Sequence, residues 1–190
     1  MGEIRNVGAR MIRAHLDDIP QHEAPASFSI RRYRPGDEVA WTRIHEVADI
    51  YNTFSSETFT REFGSDAAQW AARQYYLCNA EGEAIGTGTA WFTSDDEGDC
   101  GLVHWIAVHP DMQDHGLSKP LLTAVCNRLR ALGYTRARLS TSTGRLPALC
   151  LYLGFGFVPV IETDEVRFAW RAVRERLGDR AARYPVLMEI

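Results

Sequence analysis

The stretch that most constrains the fold runs from Leu102 to Leu122, LVHWIAVHPDMQDHGLSKPLL. It begins with alternating apolar residues, breaks at His109-Pro110, and closes on Gln113-Asp114-His115-Gly116-Leu117-Ser118. Leu121, Leu122, Val125, Leu129 and Leu132 then follow at helical spacing. The order is strand, short glycine-containing loop, helix. Such a junction aims unpaired backbone N–H groups and the positive end of a helix dipole at one spot, which suits a phosphate or pyrophosphate. Gly116 permits a close backbone approach that a Cβ would block.

The rest of the chain supplies strands and helices to surround this junction. Phe28 to Tyr33 alternates as a half-buried strand, and Pro35-Gly36-Asp37 turns into a helix over 37–48. Tyr51, Phe54, Phe59 and Phe63 suggest a short helix that packs aromatics, or a wall of an acceptor pocket. Gln74–Cys78 and Ala84–Phe92 read as two strands joined by a turn at 79–82. Asp95, Asp96, Glu97 and Asp99 around Gly98 read as a solvated hairpin tip without a calcium-loop pattern. After the central helix, Gly133 sits where a C-terminal cap belongs, and 136–140 reads as a strand. A short helix over 146–153 tolerates Pro147 because it falls in the first turn. Then follow a strand over 155–161, an amphipathic helix marked by Phe168, Trp170, Val173 and Leu177, and an extended tail from Pro185 to Ile190. Residues 1–26 show no sustained periodicity and are expected to form a loosely attached N-terminal arm on a single domain spanning 27–190.

Composition limits the function classes. The chain has 190 residues, enough for one domain with a sizeable core. A formal net charge of -4 argues against general nucleic-acid binding, which favours a basic face. No run approaches the ~20 apolar residues of a membrane span, and no signal peptide is recognisable, so a cytoplasmic protein is expected. Cys78, Cys100, Cys126 and Cys150 contain no CxxC pair and are expected to be buried free thiols, with no metal site. A dinucleotide-binding alternative wants G-x-G-x-x-G after an early strand, which the sequence lacks.

The segment VHPDMQDHGLS resembles the cofactor motif of the GNAT (Gcn5-related) N-acetyltransferases: strand, Val-His-Pro, then Gln/Arg-x-x-Gly-x-Gly/Ala and a helix. Gln113 and Gly116 match, and Ser118 stands where the family usually has Gly or Ala. Leu151-Tyr152 followed by Gly154-Phe155-Gly156-Phe157 is similar to the family's Leu-Tyr…Gly-Phe ending, so the resemblance spans roughly Phe28 to Val160. It implies an α/β (α+β) fold with a central mixed, mostly antiparallel sheet flanked by helices. It also implies an enzyme that moves an acetyl group from acetyl-CoA, as cosubstrate, to a primary amine of a small molecule or peptide by direct attack in a ternary complex. A homodimer is open by family habit. A non-catalytic acyl-CoA-binding sensor and an acyltransferase for other acyl groups share the same cofactor motif.

Acetyl transfer needs a held thioester, a polarised carbonyl, a neutral amine and a proton for the leaving thiolate. The resemblance assigns Gln113, Asp114, His115, Gly116, Leu117 and Ser118 to the pyrophosphate, with Lys119 as an added cation. It assigns the main chain of Ile106, Ala107 and Val108 to the acetyl carbonyl and the pantetheine arm. His104 has the intrinsic pKa of a base, and strand alternation places it on the face of Leu102, Ile106 and Val108. Tyr152 matches the tyrosine that protonates the thiolate. Arg145 stands where many members have Asn, seven residues before that tyrosine, and is read as a contact to phosphate or acceptor.

Overall fold

In the computed structural model, which describes residues 6–190, the strands are β1 (Gly8–Arg13), β2 (Ser29–Arg32), β3 (Gln74–Cys78), β4 (Ala84–Asp95), β5 (Gly98–Val108), β6 (Ala137–Ser142) and β7 (Val158–Pro159). The α-helices are α1 (Asp37–Ala48), α2 (Ser56–Phe63), α3 (Ala67–Arg73), α4 (Ser118–Ala131), α5 (Leu146–Gly154) and α6 (Asp164–Leu177). The strands form one sheet in the order β2-β3-β4-β5-β6-β1-β7. Every pairing is antiparallel except β5–β6.

Two apolar layers cover the sheet. The larger joins β1 and β6 to α4, α5 and α6 through Met11, Leu139, Leu122, Leu149 and Trp170. The other is rich in aromatic residues: Trp41 of α1, Phe59 and Phe63 of α2, and Phe54 between them pack on Tyr76 of β3 and Trp105 of β5. Trp41 meets Phe54, Phe59, Phe63 and Trp105 edge-on at 5.4–5.8 Å, the arrangement ring quadrupoles favour.

The expected N-terminal arm is overturned. Residues 8–13 form β1, which lies between β6 and β7 and pairs with both. Ala9 and Met11 enter the core, and the following segment buries Leu16 and Ile19. The alternation that drives this is only Ala9 and Met11 between Arg10, Ile12 and Arg13, too short to stand out against the charge around it. Residues 1–5 of that arm lie outside the described residues. Met11 is fully buried, so Met11→Ala is expected to cost about 2–5 kcal/mol. Urea unfolding checks this, and an unchanged midpoint would make β1 dispensable.

Other departures are local. The expected strand over 155–161 is only Val158–Pro159, and the tail winds into a 3₁₀ turn over Pro185–Met188 that buries Leu187. Phe168 is exposed; the buried stripe of α6 is Ala169, Trp170, Val173 and Leu177. Asp95 is no free hairpin tip, because Arg136 and Arg138 both pair with it. Helix α3 is unforeseen, its apolar pattern being weak, and Asp66 caps it by accepting from the Ala68 amide at 2.9 Å.

Two irregularities of β5 create the site. Strands β5 and β6 pair only at Gly101↔Ala137 and Leu102↔Arg138, so they part beyond Leu102. Against β4 the register passes from Thr89↔His104 to Thr87↔Ala107, one extra residue on β5, and Trp105 has φ 50. This is a β-bulge. It corrects the expected alternation: His104 and Trp105 both face α1 and α2, whereas Ile106 and Val108 face α4 with Leu117 and Leu121. A one-residue insertion inverts every later side chain of a strand.

Candidate active site

The loop after β5 is a row of unused amides. None of the N–H groups from Asp114 to Ser118 donates to another described residue. The Gln113 side chain donates to the Val108 carbonyl at 3.1 Å and ties the loop back to the strand. His109 accepts the Asp111 amide through Nδ1, and His115 Nδ1 lies 2.7 Å from the Gln113 carbonyl, so both histidines shape the turn. Asp114 and Gly116 take left-handed φ values of 62° and 72°. Leu117 is buried beneath the loop and anchors the start of α4, while Lys119 is exposed on its first turn. Five amides at the positive end of a 14-residue helix make an anion cradle.

The parted strand adds a second row. The His109 amide donates to the Ile85 carbonyl, which makes Gly86↔Val108 a pair without mutual hydrogen bonds. The N–H and C=O of Val108 therefore point away from β4 into the gap, those of Ala107 point to β4, and those of Ile106 point into the gap again.

Across the sheet lies a group that the sequence reading missed. Glu62 of α2 accepts from Trp105 Nε1 at 3.0 Å and lies 3.3 Å from His104 Nε2, both on the same carboxylate oxygen. His104 and the Trp105 N–H beside it hold the Glu62 carboxyl down at about 2, against burial, which acts to raise it. His104 and Glu62 each keep 23% of their side-chain surface exposed, so the dyad is reachable. Phe63 covers the imidazole edge-on at 5.6 Å. The signal was available: Phe59 and Phe63 point α2 at the sheet, and Glu62 shares that face at i+3 from Phe59. Deeper in the same layer, burial pushes His45 down to about 3, so it stays neutral, stacked on Phe54 at 5.0 Å.

Tyr152 lies on α5 and is 8% exposed, with Phe157 edge-on at 6.1 Å. Burial raises its hydroxyl to about 12, with the Arg145 charge acting in the opposite direction. No hydrogen bond among the described residues joins Tyr152 to His104. Arg145 pairs with Asp49 at 2.7 Å and lies over the Tyr51 ring at 4.7 Å, so its charge is already matched within the protein.

Residues 44–157 match the Acetyltransferase (GNAT) family. The chain belongs to the GNAT family. Among curated relatives it is 28% identical over 150 residues to a mycothiol acetyltransferase of Streptomyces coelicolor, covering 77% of this chain and 48% of that one. The chain spans about half the length of the curated relatives it matches. Its fold is similar to that of a GCN5-related N-acetyltransferase from Sphaerobacter thermophilus, with a TM-score of 0.67 and 21% identity over 83% of this chain and 49% of that one. It is also similar to the ribosomal-protein-S18-alanine N-acetyltransferase of Escherichia coli, with a TM-score of 0.54 and 22% identity over 68% and 76% of the two chains.

GNAT acetyltransferases use acetyl-CoA, and the donor set here fits that molecule. Five free amides match a pyrophosphate, and the Val108 N–H, with the Ile106 main chain before it, matches an amide-bearing arm running along β5. A Cβ at Gly116 would meet no protein atom within 4 Å, so the space before the loop is open. Gly116→Val puts a β-branched residue at φ 72° and a side chain into that space. Acetyl-CoA Kd is expected to rise at least about tenfold by calorimetry, together with a loss of stability of about 1–3 kcal/mol from the strained backbone. Unaltered affinity would remove the loop as the pyrophosphate site.

Proposed function

We propose that this chain is an N-acetyltransferase that moves the acetyl group of acetyl-CoA to a primary amine of a small molecule, by direct attack in a ternary complex. The observation that carries the reading is the Glu62–His104 dyad, set beside the gap into which the Ile106 and Val108 main chain points. The names of the curated relatives favour a small-molecule acceptor.

Each residue then has a task. The amides of Asp114 through Ser118, with Gln113 bracing the loop and Lys119 adding charge, hold the pyrophosphate. Val108 pairs with the pantetheine arm, and the Ile106 N–H polarises the acetyl carbonyl. Bound acetyl-CoA supplies an acyl carbon activated as a thioester. His104 takes the proton lost by the amine at Nδ1, because Nε2 faces the ionised Glu62 carboxylate and carries the N–H of the neutral ring. The amine's ordinary pKa near 10 would otherwise keep it charged. Glu62 balances the imidazolium so formed. As the C–S bond breaks, the Tyr152 hydroxyl serves the departing sulfur. None of the three buried cysteines acts as nucleophile: burial pushes the Cys126 thiol up to about 12, and Cys78 and Cys100 are buried too. Four free thiols suit a reducing, cytoplasmic compartment. No helix among the described residues is long and apolar enough to cross a membrane.

A thiol-release assay with acetyl-CoA against amines, amino acids, amino sugars, polyamines and peptides tests the proposal. Turnover of one small-molecule class is the expected result. Tight acetyl-CoA binding with no turnover would point to a sensor instead, and peptide-only turnover would reassign the acceptor.

A further inference from the structure

We propose that Arg145 is a positioning residue of the acceptor site: through Asp49 it fastens the segment between α1 and α2 to the helix that carries Tyr152. The inference rests on the proposed transfer reaction and gives a positioning role to a residue whose motif position left open a contact to phosphate or acceptor.

Asp49 terminates α1, its amide donating to the His45 carbonyl at 3.0 Å. Its carboxylate, 4% exposed, accepts three hydrogen bonds: from the Tyr51 amide at 2.9 Å, from Asn52 Nδ2 at 2.8 Å and from Arg145 Nη2 at 2.7 Å. Two of these donors belong to the acceptor-side segment and knot it. The third comes from the residue immediately before α5. The Arg145 guanidinium also covers the Tyr51 ring at 4.7 Å. Gly144 allows this approach, because a Cβ there would lie 2.7 Å from the Tyr51 hydroxyl.

The two bodies so joined carry the two ends of the chemistry. Beyond the knot, Phe54 packs on Trp105 at 5.3 Å, and the indole of Trp105 donates to Glu62 beside His104. On the other body, Tyr152 lies two turns along α5, and the Arg145 charge opposes the rise of its hydroxyl pKa. The ion pair therefore ties the body that carries the dyad to the helix that carries the tyrosine. Its contacts are with the segment between α1 and α2 and not with the amide row after β5.

The test uses Asp49→Asn, Arg145→Ala and the double variant of the full chain. In each single variant the acceptor KM is expected to rise about tenfold, while acetyl-CoA Kd by calorimetry stays within about twofold. The losses of the two singles are expected not to add in the double variant, because the Arg145–Asp49 contact is already lost in each of them. Amide hydrogen exchange over residues 50–55 is expected to accelerate in both singles, with α4 unaffected. Weakened acetyl-CoA binding in Arg145→Ala but not in Asp49→Asn would make Arg145 a coenzyme contact and overturn the proposal. Additive losses, or unchanged exchange over 50–55, would overturn it as well. If the wild type turns over no amine, the transfer reaction fails as a reading, and the exchange result still decides whether the tie exists.

Discussion

His104→Ala is expected to lower kcat for amine acetylation at neutral pH by about 10²–10⁴-fold, and Glu62→Gln by about tenfold to a hundredfold. The larger figure is the usual worth of a positioned general base. The smaller one follows because the substituted amide could still accept from Trp105 Nε1 but would place no negative charge beside the imidazolium. Neither change touches the amide row after β5, so acetyl-CoA Kd should hold. The pH profile separates base from scaffold. Without the base only the neutral fraction of the amine reacts, so the His104→Ala rate should climb towards the amine pKa near 10 and recover much of its loss there. A variant that keeps its full rate at neutral pH would remove His104 from the chemistry. The same carboxylate also leaves a mark on folding. The Glu62 pKa is depressed to about 2, so its contribution to stability is present above the ordinary carboxylate value and is lost as pH falls towards 2. Glu62→Gln should therefore destabilise the protein near neutrality and become indistinguishable from wild type at the acid end.

The parts legible in the sequence were those written in local periodicity. The strand–loop–helix junction, α1 at 37–48, and α5 with its first-turn proline appear where the residue pattern places them. The amide row followed from the same order of elements, because a loop entering a helix leaves its N–H groups unspent. What stayed hidden depends on non-local pairing. β1 is recognisable as a strand only because β6 and β7 lie on either side of it. The bulge at Trp105 turns on one extra residue relative to β4, which β5 alone does not reveal. Since that bulge decides which face His104 joins, His104 was chosen on its chemistry but assigned the wrong neighbours. Glu62 lies 42 positions before it and meets it only after α2 folds back over the sheet. Arg145 and Asp49, 96 residues apart, are a similar case: the motif position was noticeable, the partner was not.

Tyr152→Phe is expected to lower kcat about a hundredfold, near the low end for a general acid, with acetyl-CoA affinity unchanged. The magnitude follows from the hydroxyl's surroundings. Burial holds it at about 12, which keeps it protonated at neutral pH as a donor must be. An ordinary thiol sits near 8.5, so complete proton transfer from this phenol to a thiolate would be uphill by about 5 kcal/mol. The hydroxyl therefore works mainly as a hydrogen-bond donor that strengthens as charge gathers on sulfur, and hands over its proton late. Phenylalanine removes that donor and nothing else of consequence, since the ring keeps its edge contact with Phe157 and its place among Leu149 and Leu153. An acetyl thioester whose thiol has a lower pKa needs less help in leaving, so the penalty in Tyr152→Phe should shrink with such a donor. A penalty that is the same for both thioesters would mean that the tyrosine acts through packing, and an unchanged kcat with acetyl-CoA would leave the thiolate to be protonated by solvent.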